Sequence, residues 1–268
     1  MRRKRGGGKR KTAHLLGRAG RAALRALTAG RALLAFDFDG TLAPIADRPQ
    51  DARMTARTRR LLSAVARRYP CAVISGRARR DLRRRLGRLP LVAVTGSHGS
   101  EGNGPRRLSR ARSGVEAWAR RLRRRLGRLR GVVVERKPHG VAVHYRTAED
   151  REAARAAILA EVAMLEGVRC IRGKCVVEVL PADAPTKGDA LAAIRRELKP
   201  RATLYVGDDA TDEDAFLSRG PGGLFAVRVA PAPGTSARFR LDTQAEVEAL
   251  LNALVRLAPP PPESAGRR

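Results

Sequence analysis

The strongest constraint on the fold is the run Ala32–Phe36, which is apolar throughout and ends in two aspartates, Asp37 and Asp39. A short apolar run without alternation is typical of a strand buried on both faces, as in a parallel sheet. Further runs, at Cys71–Ile74 and Thr203–Val206 among others, alternate with amphipathic segments. This alternation predicts an α/β fold in which helices cover both faces of a parallel sheet.

The βαβ rhythm is interrupted in the middle of the chain, where a helix–strand–strand pattern occurs twice. That pattern predicts a small α/β layer with tight turns between its strands. We therefore expect a doubly wound, Rossmann-like core at 29–104 and 182–257, with an inserted α/β cap domain at 105–181. A basic N-terminal extension at 1–28 precedes the core, and a disordered, proline-rich tail at 258–268 follows it. Disorder is also expected over about the first dozen residues, which lack an apolar period.

The net charge of +30 on 268 residues would ordinarily indicate a nucleic-acid partner. However, all but seven of the 56 basic residues are arginine, and they are spread over the whole length rather than gathered in one patch. Aromatic residues make up only 3%, which is too few for base-stacking surfaces. We therefore expect no specific nucleic-acid partner.

The sequence also bears on the compartment. No apolar stretch approaches the ~20 residues that span a bilayer. The three cysteines, Cys71, Cys170 and Cys175, have no paired metal spacing and are typical of core thiols in a reducing environment. We expect a cytoplasmic, monomeric protein without membrane contact.

Asp37 and Asp39 carry the first chemical signal. Residues two apart in an extended segment point to the same side, so the two carboxylates lie side by side and need a positive charge between them. A hard cation such as Mg²⁺ would remove the repulsion and leave one oxygen free to attack phosphorus. Gly40 and Thr41 follow and suit a tight turn that holds phosphate oxygens.

A second acidic group follows the run Thr203–Val206, where five acids lie within 208–214. In a doubly wound sheet this group and Asp37 would meet at the carboxyl ends of the strands, where Asp208 or Asp209 can complete an oxygen cage for Mg²⁺. For Glu213 and Asp214, a helix N-terminus that favours acids explains the pattern equally well.

Two further residues fit the same crevice. Ser75 ends an apolar run and suits hydrogen bonding to a phosphate oxygen, although Ser-Gly is also an ordinary turn. Lys187 opens a predicted helix in a chain where arginine is the usual cation, and it would neutralise a phosphoryl group and a neighbouring carboxylate.

Taken in order, these groups resemble the four motifs of the haloacid dehalogenase superfamily of phosphohydrolases, and the rest of the chain narrows the resemblance to trehalose-6-phosphate phosphatases. The segments that carry the narrower resemblance are Gly96–Glu101, Glu135-x-Lys137, Val143–Arg146, Gly173–Glu178 and Gly207–Asp214. The superfamily resemblance covers the core, and the inserted segment resembles the larger α/β cap.

The resemblance implies hydrolysis of trehalose 6-phosphate, a step of trehalose biosynthesis, through an aspartyl-phosphate. Asp37 would be the nucleophile, and Asp39 the acid that protonates the leaving oxygen and then the base that activates water. Mg²⁺ would be held by Asp37, the main-chain carbonyl of Asp39 and Asp208, with Asp209 in support. The phosphoryl oxygens would be held by Ser75 and Lys187. The implied substrate-binding residues are Thr41, Arg77, His98, Glu101, Glu135, Lys137, Lys174 and Glu178.

Several alternatives stay open. The charges at Glu135, Lys137 and Glu178 are also ordinary for an exposed sheet face. A phosphatase of the same superfamily acting on another sugar phosphate would share every core residue. A basic nucleic-acid-binding protein on an inactive phosphatase scaffold is the alternative of another class, and the basic N-terminus would also permit association with a synthase.

Overall fold

The computed structural model of the protein describes residues 12–46, 48–102, 112–173 and 175–258. Lys174 and nearly all of the two predicted disordered ends lie outside the described residues. The chain divides into two compact units, one made of residues up to 104 and from 186 onward, the other of 105–185. Among the described helices, none has the length and apolar character needed to cross a membrane.

The strands within the described residues are numbered in chain order. They are β1 (Ala13–His14), β2 (Ala32–Phe36), β3 (Cys71–Ile74), β4 (Ala93–Thr95), β5 (Val133–Lys137), β6 (Gly140–His144), β7 (Val168–Gly173), β8 (Val176–Pro181), β9 (Ala202–Gly207), β10 (Gly223–Val229) and β11 (Phe239–Leu241). The α-helices are α1 (Arg18–Thr28), α2 (Ala56–Ala66), α3 (Arg79–Leu86), α4 (Arg112–Leu126), α5 (Arg151–Ala163), α6 (Lys187–Leu198), α7 (Glu213–Phe216) and α8 (Glu246–Leu257).

The first unit contains a seven-stranded sheet in the order β1-β11-β10-β9-β2-β3-β4. Every pair in it is parallel. The predicted α/β class and doubly wound sheet are thereby confirmed. Because all strands run the same way, their carboxyl ends lie along one edge, where such sheets bind their ligands. The apolar run at Ala32–Phe36 is buried along its whole length, as expected for a central strand.

Residues 13–28 differ from the predicted N-terminal extension. They form β1 and α1, and Leu15, Leu24 and Leu27 are buried in the core of the first unit. The helix presents an apolar stripe to the sheet and its arginines to solvent, which makes the segment look uniformly basic in the sequence. These residues therefore belong to the folded unit rather than to an extension.

The second unit contains a four-stranded antiparallel sheet in the order β5-β6-β8-β7. Val141, Val143 and Val177 point from this sheet into an apolar core shared with α4 and α5. The register places Glu135 opposite Ala142, and Ala142 opposite Glu178. Since side chains alternate along a strand, this row lies on the face opposite the core. The unit extends to 185, four residues beyond the predicted boundary at 181.

Candidate active site

Asp37 is the first residue after β2 and is held at the carboxyl edge of the sheet. Its amide N–H donates to the carbonyl of Val206 on the neighbouring β9 at 2.9 Å. Since β9 ends one residue later, Asp208 emerges beside it. Single ligand oxygens of Asp37, Asp208 and Asp212 lie within 4.8 Å of one another. The predicted convergence of the two acidic segments on one crevice is what the sheet produces.

The turn after Asp37 is shaped around Asp208. Gly40 has a φ of +74°, and a Cβ there would lie 2.0 Å from Oδ2 of Asp208. Only glycine therefore fits both the backbone conformation and the space. Thr41 is buried, and its hydroxyl donates to Oδ1 of Asp208 at 3.2 Å. Both residues thus fix a carboxylate, a role that differs from the phosphate contact predicted for them and does not test it.

Lys187 lies at the start of α6, where Thr186 and Asp189 form a reciprocal capping box that fixes the helix end. The side chain is 3% exposed, and its Nζ lies 3.0 Å from Oδ1 of Asp37 and 2.8 Å from Oδ1 of Asp212. Burial alone would lower the pKa of Lys187, but the charges of Asp212 and Asp37 outweigh it and raise the pKa. The lysine is therefore a charged bridge between two buried carboxylates.

The electrostatics of this acidic cluster favour an additional cation. Burial raises the pKa of Asp37 well above its ordinary value, against the attraction of Lys187. Burial, followed by repulsion from Asp212, raises the pKa of Asp208 to about 7. In the cluster of three carboxylates and one ammonium, full ionisation leaves an excess of negative charge. A divalent cation bound to carboxylate oxygens would remove that excess.

Asp212 is the site residue that the sequence analysis missed. Asp209 was predicted to support the metal, yet its Oδ1 accepts the N–H of Ala210 at 2.7 Å and so caps the turn that follows. Asp212 is fully buried and joins Asp37 and Asp208 instead. The sequence contained one indication of this role. Asp212 lies three residues after Asp209, which is the spacing of a capping box, and such a box turns the Asp212 side chain back towards the strand end.

Ser75 and Arg77 follow β3 at the same edge of the sheet. The Ser75 side chain is buried, and its Oγ accepts the amide N–H of Arg77 at 3.2 Å. The Arg77 guanidinium donates to both carboxylate oxygens of Asp39, at 2.7 and 2.6 Å, and to Asp81 at 3.0 Å. Arg77 was predicted to bind substrate. In the structure it hydrogen-bonds to Asp39, the predicted acid–base residue.

His98 and Glu101 lie on the loop after β4, within the first unit. The His98 ring packs against Gly76, where a Cβ would lie 2.5 Å from Cε1 of the imidazole. Glu101 accepts a hydrogen bond from the Ser97 hydroxyl at 2.8 Å and from the Arg79 amide at 2.8 Å. Both residues thus brace the loops around Ser75, and their predicted contact with substrate stays a prediction.

The charged residues predicted for the sugar lie together on the sheet of the second unit. Lys137 donates a hydrogen bond to Glu178 across the strands. Oε2 of Glu135 lies 2.8 Å from Nε2 of His144, a residue of the segment Val143–Arg146 that carries the family resemblance. Two polar pairs, Lys137 with Glu178 and His144 with Glu135, therefore share the face opposite the apolar core.

The chain is similar in sequence to proteins of known family. A profile of the family described as trehalose-phosphatase matches residues 35–244. The chain is 38% identical over 237 residues to a trehalose-phosphate phosphatase of Mycobacterium marinum, covering 82% of this chain and 60% of that one. It is 37% identical over 246 residues to that of Mycobacterium tuberculosis strain H37Rv, covering 86% and 63%. The chain thus spans about three fifths of the length of the curated relatives it matches.

Two solved structures extend the comparison. Aspergillus fumigatus trehalose-6-phosphate phosphatase is 30% identical with a TM-score of 0.63, covering 92% of this chain and 99% of that one. The C-terminal domain of Candida albicans trehalose-6-phosphate phosphatase has a TM-score of 0.78 at 24% identity, covering 94% and 100%. At 24% identity, the similarity to the Candida albicans domain shows a shared fold alone.

Proposed function

The chain belongs to the trehalose-phosphatase family, and on that premise we propose that it hydrolyses trehalose 6-phosphate to trehalose and inorganic phosphate. The observation that carries the chemistry is the position of Asp37, a buried carboxylate at the end of a central strand with Lys187 3.0 Å away. The ammonium group offsets the charge of the carboxylate and of an approaching phosphoryl group, which suits attack on phosphorus. The sugar is taken from the family and the names of the relatives.

In the first proposed step, an oxygen of Asp37 attacks phosphorus and the bond between phosphorus and the sugar oxygen breaks. Asp39 gives its proton to that oxygen, so trehalose leaves as an alcohol. In the second step, water attacks the phosphorus of the aspartyl-phosphate and loses a proton to Asp39. Phosphate leaves, and the Asp37 carboxylate is restored. Ser75 and Lys187 would hold the phosphoryl oxygens throughout.

The contact between Arg77 and Asp39 has a consequence for the first step. Asp39 must carry a proton to act as the acid, whereas both of its oxygens accept hydrogen bonds from Arg77. A protonated carboxyl group offers poorer acceptors to a guanidinium. We infer that the contact loosens as the phosphate ester enters and reforms after the proton has been passed on.

Mg²⁺ is the proposed cofactor, held by Asp37, Asp208 and the main-chain carbonyl of Asp39. The buried carboxylates support this choice because hard oxygen donors are what Mg²⁺ prefers. When bound, the cation offsets the negative charge of the phosphoryl group and the carboxylates. Asp209 fits this role less well, since its side chain already caps the following turn.

We propose that the second unit binds and recognises the sugar. Glu135, Lys137 and Glu178 supply acceptors and donors on one sheet face, and sugar hydroxyl groups are both. A carboxylate or ammonium left without its hydroxyl partner would penalise a wrong sugar. Lys174, outside the described residues, is proposed for the same role from the family resemblance.

The decisive experiment measures phosphate release from trehalose 6-phosphate, sucrose 6-phosphate and glucose 6-phosphate with Mg²⁺ present. A kcat/KM for trehalose 6-phosphate at least tenfold above the others is expected, because one set of sugar contacts discriminates by about that factor. Comparable values on all three would refute the assignment of the sugar. Asp37→Asn is expected to abolish turnover with an unchanged circular dichroism spectrum. Turnover retained in that variant would refute the assignment of Asp37 as the nucleophile.

A cytoplasmic monomer without a specific nucleic-acid partner is proposed on the sequence alone. Light scattering tests the monomer directly. Tight sequence-selective DNA or RNA binding that persists near physiological salt would favour the alternative of a nucleic-acid-binding protein.

A further inference from the structure

Tyr205 is a buried tyrosine on β9 whose hydroxyl reaches the active-site cluster. The residue is 0% exposed, and its ring packs edge-on against Phe216 of α7 with the ring centroids 5.9 Å apart. The hydroxyl donates to Oδ1 of Asp212 at 2.7 Å. Because the ring is clamped on the apolar side of the sheet, the position of the hydroxyl is fixed by packing.

Asp212 accepts three hydrogen bonds from donors of known position. Its Oδ1 accepts hydrogen bonds from Tyr205 and from Lys187, the latter at 2.8 Å, and its Oδ2 accepts the amide N–H of Asp209 at 2.9 Å. The carboxylate lies so close to the strand end that a Cβ on Gly207 would be 2.2 Å from its Cγ. A fully buried carboxylate has no water to replace a lost donor, so each hydrogen bond constrains it.

Lys187 extends this chain of contacts to the reacting atoms. Its Nζ is shared between Oδ1 of Asp212 and Oδ1 of Asp37, 2.8 and 3.0 Å away. Within the part of the chain that the structure describes, the Tyr205 hydroxyl hydrogen-bonds to Asp212 alone, so its effect on Asp37 passes through Asp212 and Lys187. The position of Nζ between the two carboxylates depends on how strongly other donors already hydrogen-bond to Asp212.

We propose that Tyr205 is a positioning residue for phosphoryl transfer, which supplies Asp212 with a neutral donor so that Lys187 stays shared with the nucleophile Asp37. Without the hydroxyl, Oδ1 of Asp212 keeps one donor, and Lys187 is drawn towards Asp212 and away from Asp37. The nucleophile and the phosphoryl oxygens then lose part of their positive partner. This inference rests on the proposed phosphatase reaction and adds a residue to it.

The test compares Tyr205→Phe with Tyr69→Phe. Tyr69 is a matched control because its hydroxyl is also buried in the first unit, without a hydrogen-bond partner among the described residues. It precedes β3, at the end of that strand opposite to the carboxyl end where Ser75 lies. Tyr205→Phe is expected to lower kcat about tenfold with KM within twofold, since one buried hydrogen bond to a charged group is lost while no substrate contact changes. Tyr69→Phe is expected to leave both constants unchanged.

Three outcomes would overturn the inference. They are a kcat of Tyr205→Phe within twofold of the wild type, a loss confined to KM, and an equal loss of kcat in the Tyr69 variant. A purely structural role would lower the melting temperature without the kcat effect. The path through Asp212 is tested by adding Tyr205→Phe to Asp212→Asn. No further loss is expected in that background, and independent, additive losses would exclude the path.

The ratio of kcat between Tyr205→Phe and the wild type is measured with both trehalose 6-phosphate and p-nitrophenyl phosphate. The second substrate needs only the phosphoryl site, so the same tenfold loss is expected with it. If the wild-type protein hydrolyses p-nitrophenyl phosphate but not trehalose 6-phosphate, the proposed sugar fails while the Tyr205 ratio is still measured. Failure of the ratio alone leaves the proposed function in place.

Discussion

Arg77 holds Asp39 through two parallel hydrogen bonds, from Nε to Oδ2 at 2.7 Å and from Nη2 to Oδ1 at 2.6 Å. The guanidinium also lies over the Phe38 ring, 5.7 Å from its centroid. This fork geometry fixes both the position and the orientation of a carboxylate. Arg77 is thus placed to orient the proposed acid–base residue.

Arg77→Lys is expected to lower kcat about tenfold or more, because a lysine keeps the charge but offers no planar two-point contact. The measurement is steady-state phosphate release under saturating substrate. Arg80→Lys, three residues later on α3, is the control, since Arg80 is exposed and a change there is expected to be neutral. Unchanged kcat in the Arg77 variant would show that the contact is dispensable.

Gly40→Ala is expected to abolish metal-dependent activity, because the added methyl group would collide with Oδ2 of Asp208. Gly234→Ala is the matched control. Gly234 has nearly the same φ, +75° against +74°, but no atom within 4 Å of the added Cβ. Both variants carry similar backbone strain, about 1 kcal/mol, so only the collision distinguishes them. Equal activities of the two variants would contradict the role assigned to Gly40.

Metal binding is expected to weaken as the pH falls through 7. Burial and the charge of Asp212 raise the pKa of Asp208 to about 7, so below that pH the metal-free site is protonated and must release a proton on binding. For one proton, the apparent affinity for Mg²⁺ should fall about tenfold between pH 8 and pH 6. Isothermal titration calorimetry at the two pH values checks this, with Asp208→Asn expected to reduce the dependence. Equal affinities in the wild-type protein would contradict it.

Lys137→Met is expected to raise KM for trehalose 6-phosphate about tenfold, because it removes a proposed sugar donor and leaves Glu178 without the Lys137 hydrogen bond. Hydrolysis of p-nitrophenyl phosphate, which lacks the sugar, should be unaffected. Glu152→Gln, an exposed change on α5 of the same unit, is the control and should alter neither. A parallel loss on both substrates would mean that Lys137 supports the fold instead.

The sequence predicted the parts of this protein in which local pattern and final environment coincide. Ala32–Phe36 is apolar because it is buried on both faces, so its pattern indicates a central parallel strand. Asp37, Ser75 and Asp208 each follow such a strand, and the common direction of the strands brings their ends together. Neither inference requires knowledge of side-chain packing.

The remaining features depend on contacts between distant segments, which no local pattern contains. Asp212 reaches the cluster only because the turn capped by Asp209 folds its side chain back over Gly207. Arg77 meets Asp39 across 38 positions of sequence. The many arginines of α1 also conceal its apolar stripe, which becomes visible only when the sheet surface it covers is known. These contacts are tertiary, and they determine the structure at the positions where the local sequence pattern did not predict it.

The N-terminal strand has a practical consequence. β1 covers β11, whose backbone groups would otherwise form an exposed sheet edge, and Leu15, Leu24 and Leu27 fill the core beside it. A shortened protein beginning at residue 29, where the sequence alone would place the start of the core, would expose that edge and open an apolar hollow. Unpaired edges recruit strands from other molecules. Such a shortened protein should self-associate, so preparations of this protein should keep its first helix.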